Sequence, residues 1–167
     1  SGLVRDVLDL APQATVVGAK IAIAFLEDLV HRPFQRLIVK NGDTLDLGQG
    51  HTLEFISAPN LHWPDTIFTY DHKTGVLYTC DAFGMHFCSD AIYDENLEVI
   101  SPDFRFYYEC LMAPNARSVL AAMKRMQSLP SVQLIATGHG PLLRYNVAEL
   151  TGRYQRWSQE DRKSTRL

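Results

Sequence analysis

From Phe34 to Tyr78 the apolar residues recur at every second position, whereas on either side of that stretch they recur at helical spacing. This change of period restricts the chain to an α/β architecture. A period of two buries one face of a strand, and a period near 3.6 buries one stripe of a helix. Within the stretch, Leu37-Ile38-Val39, Thr44 to Leu47 and Thr52 to Ile56 read as strands separated by Asn41-Gly42 and Gly48-Gln49-Gly50. Ile67 to Tyr70 and Val76 to Thr79 flank Asp71-His72-Lys73-Thr74-Gly75, a hairpin with glycine at the end of its loop. Upstream, Leu3, Val7, Leu8 and Leu10 form one helical face behind a Ser1 cap and ahead of Pro12. Ala14 to Val17 follows as a short strand, and Ala19 to Val30 as a helix closed by Pro33, which gives helix, strand, helix. Downstream, the spacing predicts a helix over Asp103 to Leu129, a buried strand over Val132 to Ala136 and an amphipathic helix over Val147 to Trp157. The expectation is one domain over residues 1–157, with 158–167 as a disordered polar tail.

Composition narrows the function by exclusion. With 46% apolar and 21% charged residues and a net charge of −3, the chain can bury a core and is not of disordered type. Basic residues are scattered without an aromatic-basic stripe, which argues against a nucleic-acid partner. The cluster of Arg162, Lys163 and Arg166 reads as a solvated tail. Three cysteines without a Cys-x-x-Cys pair point to a reducing compartment, cytoplasmic or a chloroplast stroma, rather than to a disulfide framework. No segment reaches the roughly 20 apolar residues that span a bilayer, so no membrane partner is expected. No secretory leader is read at Ser1-Gly2-Leu3-Val4-Arg5-Asp6, and the absence of an initiator Met is taken as the start of a piece of something larger.

Three segments carry metal-ligand chemistry, each where an apolar β-rich run gives way to a loop. They are Leu61-His62-Trp63-Pro64-Asp65, Asp81-Ala82-Phe83-Gly84-Met85-His86 and Gly138-His139-Gly140-Pro141. Two imidazoles and a carboxylate suit non-haem iron, manganese or zinc. Each residue also has a plainer reading. His62 is then a loop histidine bonded locally while Trp63 packs. Asp81 is a cap on the following turn, as against a carboxylate bridging two cations. His86 is read as lining a pocket, a second-layer donor or mere surface. His139 is the sharpest, because flanking glycines let the backbone turn tightly and leave the imidazole projecting from the strand end. His31, His51 and His72 precede Arg32-Pro33, open a strand and sit in the hairpin, and carry no such weight.

These motifs, in this order, resemble the metallo-β-lactamase-like domain of flavodiiron proteins over Ser1 to about Trp157. The likeness includes Leu10-Ala11-Pro12-Gln13-Ala14-Thr15-Val16-Val17, the His62 loop, Asp81-Ala82-Phe83-Gly84 and Tyr107-Tyr108 before a long helix. Ile135-Ala136-Thr137-Gly138-His139-Gly140-Pro141 looks most like the oxygen-reducing members of cyanobacteria and photosynthetic eukaryotes. The resemblance implies an αββα sandwich with most of its first β-layer absent. It also implies that His62 ligates one iron, Asp81 bridges two, and His139 ligates the second. It implies reduction of dioxygen to water, or of nitric oxide, with electrons from FMN in a following flavodoxin-like domain, and a head-to-tail dimer. In that family the remaining ligands come from a His-x-Glu-x-Asp-His segment ahead of a Ser-Gly like Ser1-Gly2. This chain is therefore expected to be partial, with no FMN-binding residue of its own and no turnover alone. Two other functions stay open: a zinc hydrolase of the same superfamily, and a non-catalytic subunit using the fold as scaffold. The Leu61-His62-Trp63-Pro64-Asp65 loop favours the flavodiiron reading over the hydrolase, whose histidine loop more often carries small residues.

Overall fold

A computed structural model describes residues 2–164 of the chain, with side chains as far as Asp161. The order is α1 (Val4–Leu10), β1 (Thr15–Gly18), α2 (Lys20–Val30), β2 (Gln35–Ile38), β3 (Thr44–Gly48), β4 (His51–Ser57), β5 (Ile67–Asp71), β6 (Val76–Cys80), α3 (Leu97–Tyr107), α4 (Ala116–Met126), β7 (Leu134–Thr137) and α5 (Val147–Ser164). Among the described residues the strands form two sheets, a parallel pair β1-β2 and a five-stranded sheet β3-β4-β5-β6-β7. The α/β architecture and the reduced first β-layer agree with the sequence reading. The strand Leu37-Ile38-Val39 belongs to the smaller sheet: α2 carries the chain back so that Val17 lies opposite Leu37.

The main core lies between the five-stranded sheet and α3, α4 and α5. Ile56, Phe68, Tyr70 and Leu77 point into it from the strands, and Ile100, Phe104, Val119, Leu150 and Tyr154 from the helices. The smaller sheet gives α1 and α2 little to pack on. Leu8, Ile23 and Val30 are buried, but Leu3, Val7, Leu10, Phe25 and Leu29 are exposed, so the expected apolar stripes are only partly covered. Ser1, the expected cap, lies outside the described residues. The Asp71–Gly75 hairpin forms as expected, with Asp71 opposite Val76 and Gly75 at φ +68°.

The predicted helix over Asp103 to Leu129 is two helices. Asn96 starts the first early, its side chain accepting the Val99 amide at 3.2 Å. Pro114 breaks the run, because it has no amide hydrogen and disfavours helix at the residue before it. The backbone passes through a π turn over Tyr108–Met112 and a 3₁₀ turn over Ala113–Asn115. The last helix also runs beyond Trp157, to Ser164. Ser158 is fully buried and its hydroxyl lies 2.9 Å from that of Tyr108, which also donates to Asp161, and these bonds hold the extra turn in place. Among the described residues no helix is long and apolar enough to cross a membrane.

Candidate metal centre

Strand direction brings the three motifs together. β4 pairs antiparallel with β5, β5 antiparallel with β6, and β6 parallel with β7. β4, β6 and β7 therefore run the same way, and their carboxyl ends share one edge of the sheet. The loop after β4 holds His62, the residue after β6 is Asp81, and the turn after β7 holds His139.

Each loop is folded tightly on itself. In the first, the Trp63 carbonyl accepts the amides of Asn60 at 2.8 Å and Thr66 at 3.2 Å, and Leu61 is buried. The Leu61-His62 peptide is cis. Trp63 is 61% exposed and its ring lies 5.8 Å from that of His62, so it borders the histidine and is not packed into the core. In the second, the Asp81 carbonyl, rather than its carboxylate, accepts the Gly84 amide at 3.0 Å. The second and third loops are also joined to each other. Gly138 N–H donates to the Cys80 carbonyl at 2.6 Å, and Met85 N–H donates to the His139 carbonyl at 3.1 Å. Space is tight here: a Cβ on Gly84 would lie 3.0 Å from the Asp81 carbonyl oxygen and 3.1 Å from that of His139, so the loops would have to give by a few tenths of an ångström.

The result is a carboxylate between two imidazoles. One Asp81 oxygen lies 3.3 Å from His62 Nε2, and the other lies 3.4 Å from His139 Nε2. The Asp81 side chain is 16% exposed and that of His139 51%, so the trio opens to solvent on the His139 side. Among the described residues no group of three or more His, Cys, Asp or Glu side chains makes a ready cage for one ion. That accords with the geometry: the two histidines approach different oxygens and do not surround a common point.

His86 sits one layer out. It is exposed, its ring edge-on to those of His139 at 5.5 Å and Tyr107 at 4.9 Å. It borders the site without an ion pair to Asp81 of its own. Tyr107 is a residue that sequence reasoning did not place at the site. Its hydroxyl is buried and has no hydrogen-bond partner among the described residues, an arrangement that costs free energy unless something else fills it. Burial, and then the negative charge of Asp81, push its phenol far above the usual range. Phe104, Tyr107 and Tyr108 share a helical stripe, so Tyr107 looks in sequence like any core aromatic. Cys80, beside Asp81, has its thiol raised by burial and then by the same charge. Trp63, Asp65, Cys80 and Asp81, with Phe25 and Ile67, line an open cavity of about 460 Å³.

His51 and His72 have structural partners at the opposite end of the sheet. His51 Nδ1 lies 2.8 Å from Asp71, and His72 Nε2 lies 2.9 Å from Glu54. The Asp71 carboxyl is held below its usual range, first by the Thr74 hydroxyl and also by His51.

Comparison with known proteins sets this geometry in context. The profile of the ODP family beta lactamases matches residues 1–140. Diflavin flavoprotein A 3 of Nostoc sp. PCC 7120 is 70% identical over 164 residues, covering 98% of this chain and 29% of the relative. Diflavin flavoprotein A 1 of Synechocystis sp. PCC 6803 is 62% identical, with the same coverage on both sides. The metal-soaked Flv1 flavodiiron core from Synechocystis superposes with a TM-score of 0.89 at 40% identity, over 93% of this chain and 39% of that one. The chain thus spans less than a third of the length of these curated relatives.

Proposed function

The chain belongs to the ODP family of beta lactamases, and we propose that it is the metal-bearing part of a flavodiiron oxidoreductase. One observation carries this reading: each oxygen of Asp81 faces the Nε2 of a different histidine, the disposition of a carboxylate shared by two cations. Imidazole and carboxylate are the donors that non-haem iron accepts. His62 would hold one ion, Asp81 would bridge, and His139 would hold the second. Bound iron would supply open coordination positions and would pass on electrons delivered by FMN of the longer protein for reducing dioxygen to water, or nitric oxide.

The chain's own residues prepare that site. The bonds from Gly138 to Cys80 and from Met85 to His139 fix the loops of Asp81 and His139 relative to each other, so both ligands hold their spacing. The exposed side of His139 is the open face through which a small uncharged substrate arrives. Tyr107 offers the site a hydrogen-bond donor that takes no partner among the described residues. Three donors are about half of what a diiron centre takes, so turnover belongs to the longer protein. We assign FMN, and a head-to-tail dimer, to that longer protein, whose relatives are named diflavin flavoproteins.

Anaerobic titration with Fe²⁺ tests the reading. The unaltered chain should take up iron, and His139→Ala should weaken uptake by at least tenfold, the loss that removal of a residue merely orienting a ligand already brings. No iron uptake by the unaltered chain would count against the reading. Unchanged iron uptake in His139→Ala would remove that residue from the site.

A further inference from the structure

Of the four amides from Ala82 to Met85, three stay within the ligand loops. Ala82 N–H bonds Thr79, Gly84 N–H bonds Asp81, and Met85 N–H bonds His139. The fourth leaves them. Phe83 N–H donates to the Tyr154 hydroxyl of α5 at 3.1 Å, 71 residues away along the chain. Phe83 is also strained, with φ at +65°, as is Cys80 on the other side of Asp81 with φ at +53°, a conformation that a side chain with a Cβ disfavours. Both residues are buried, and their rings lie 4.6 Å apart.

We propose that Tyr154 is a positioning residue for Asp81: its hydroxyl and ring together hold Phe83 in the left-handed conformation that aims the Asp81 carboxylate between His62 and His139. The consequence for metal binding rests on the reading above, whereas the placement of the carboxylate does not. Without the hydroxyl, the Phe83 amide is buried without an acceptor. The turn then regains a partner only by rotating Phe83 out of its strained region. Asp81 lies two residues upstream, inside the same turn, and rotates with it. A tyrosine serving only the core would lose stability on removal of its hydroxyl and leave Asp81 where it is. The proposal also makes α5 a handle on the site, because a shift of that helix reaches Asp81 through a single hydrogen bond.

The test compares Tyr154→Phe with Tyr108→Phe in the metal-free protein. Tyr108 belongs to the same aromatic cluster, but its hydroxyl bonds to Ser158 and Asp161. Crystal structures should show both Asp81–imidazole distances changed in Tyr154→Phe and kept at 3.3 and 3.4 Å in Tyr108→Phe. Titration with Co²⁺ should show affinity about tenfold weaker in Tyr154→Phe alone, the usual loss when a residue that orients a ligand is removed. Unchanged Asp81 distances in Tyr154→Phe would overturn the proposal whatever the metal does. Changed distances with no Co²⁺ uptake by the unaltered protein would uphold it and count against the iron reading instead. A measurement on the unaltered protein needs no variant to fold. The Phe83 amide should exchange with solvent as slowly as the amides of α5 around Tyr154, and exchange orders of magnitude faster would also overturn the proposal.

Discussion

Asp94→Ala should cost the domain about 3–5 kcal/mol in chemical denaturation, because three backbone amides lose one shared, charged acceptor at once. Asp94 is fully buried. One of its carboxylate oxygens accepts the amides of Arg144 at 2.7 Å and Tyr145 at 2.9 Å, and the other accepts that of Asn146 at 2.8 Å. The Asn146 side chain in turn donates to the Asp94 carbonyl at 2.7 Å. These amides lie immediately before α5, where a helix leaves donors unpaired and favours negative charge. A hydrogen bond to a charged group contributes roughly 1.5–3 kcal/mol, and water, which reaches the exposed Arg144 and Tyr145, recovers part of the total. Asp90→Ala, in the exposed loop nearby, should stay within about 0.5 kcal/mol. A loss below about 1 kcal/mol for Asp94→Ala would mean that the segment from Pro141 to Asn146 is held by something else.

Gly140→Ala should cost about 2–4 kcal/mol and disturb His139 as well, whereas Gly42→Ala should cost only about 1 kcal/mol. Both glycines have φ at +82°, so a side chain at either meets the same backbone penalty. They differ in their surroundings. A Cβ on Gly140 would lie 2.6 Å from the Met85 side chain and 2.7 Å from the Met85 carbonyl oxygen, while one on Gly42 would meet nothing within 4 Å. Met85 cannot simply give way, because its amide holds the His139 carbonyl. The difference between the two variants isolates the close approach of the ligand loops. Equal losses in parallel denaturation series would show that the loops separate freely.

The parts legible in sequence are those with a local cause. The hairpin at Asp71–Gly75 needs only two alternating runs and a closing glycine, and the ends of β6 and β7 are marked by the glycines around Asp81 and His139. Placing His62, Asp81 and His139 on one edge follows once the strand directions are known, and the structure brings all three together. What was hidden depends on distant partners. The break between α3 and α4 takes a π turn whose tyrosine is held by Ser158 and Asp161, 50 and 53 residues away. The same contacts carry α5 past Trp157. Tyr107 and Tyr154 carry no mark of their own, because an aromatic at helical spacing reads as core whether or not its hydroxyl faces a site. The exposed Leu3, Val7, Leu10 and Phe25 show the converse: the apolar pattern was read correctly, but the surface it matches is not supplied by the described residues.

In the proposed function, Asp81 would lie between two metal ions, one held by His62 and one by His139. Crystals loaded anaerobically with excess Fe²⁺ and measured at the iron absorption edge locate the ions directly. Two anomalous peaks are expected, one beside each Nε2 and each within bonding distance of a different Asp81 oxygen. A single peak shared by both histidines, or iron bound elsewhere with Asp81 bare, would contradict this arrangement.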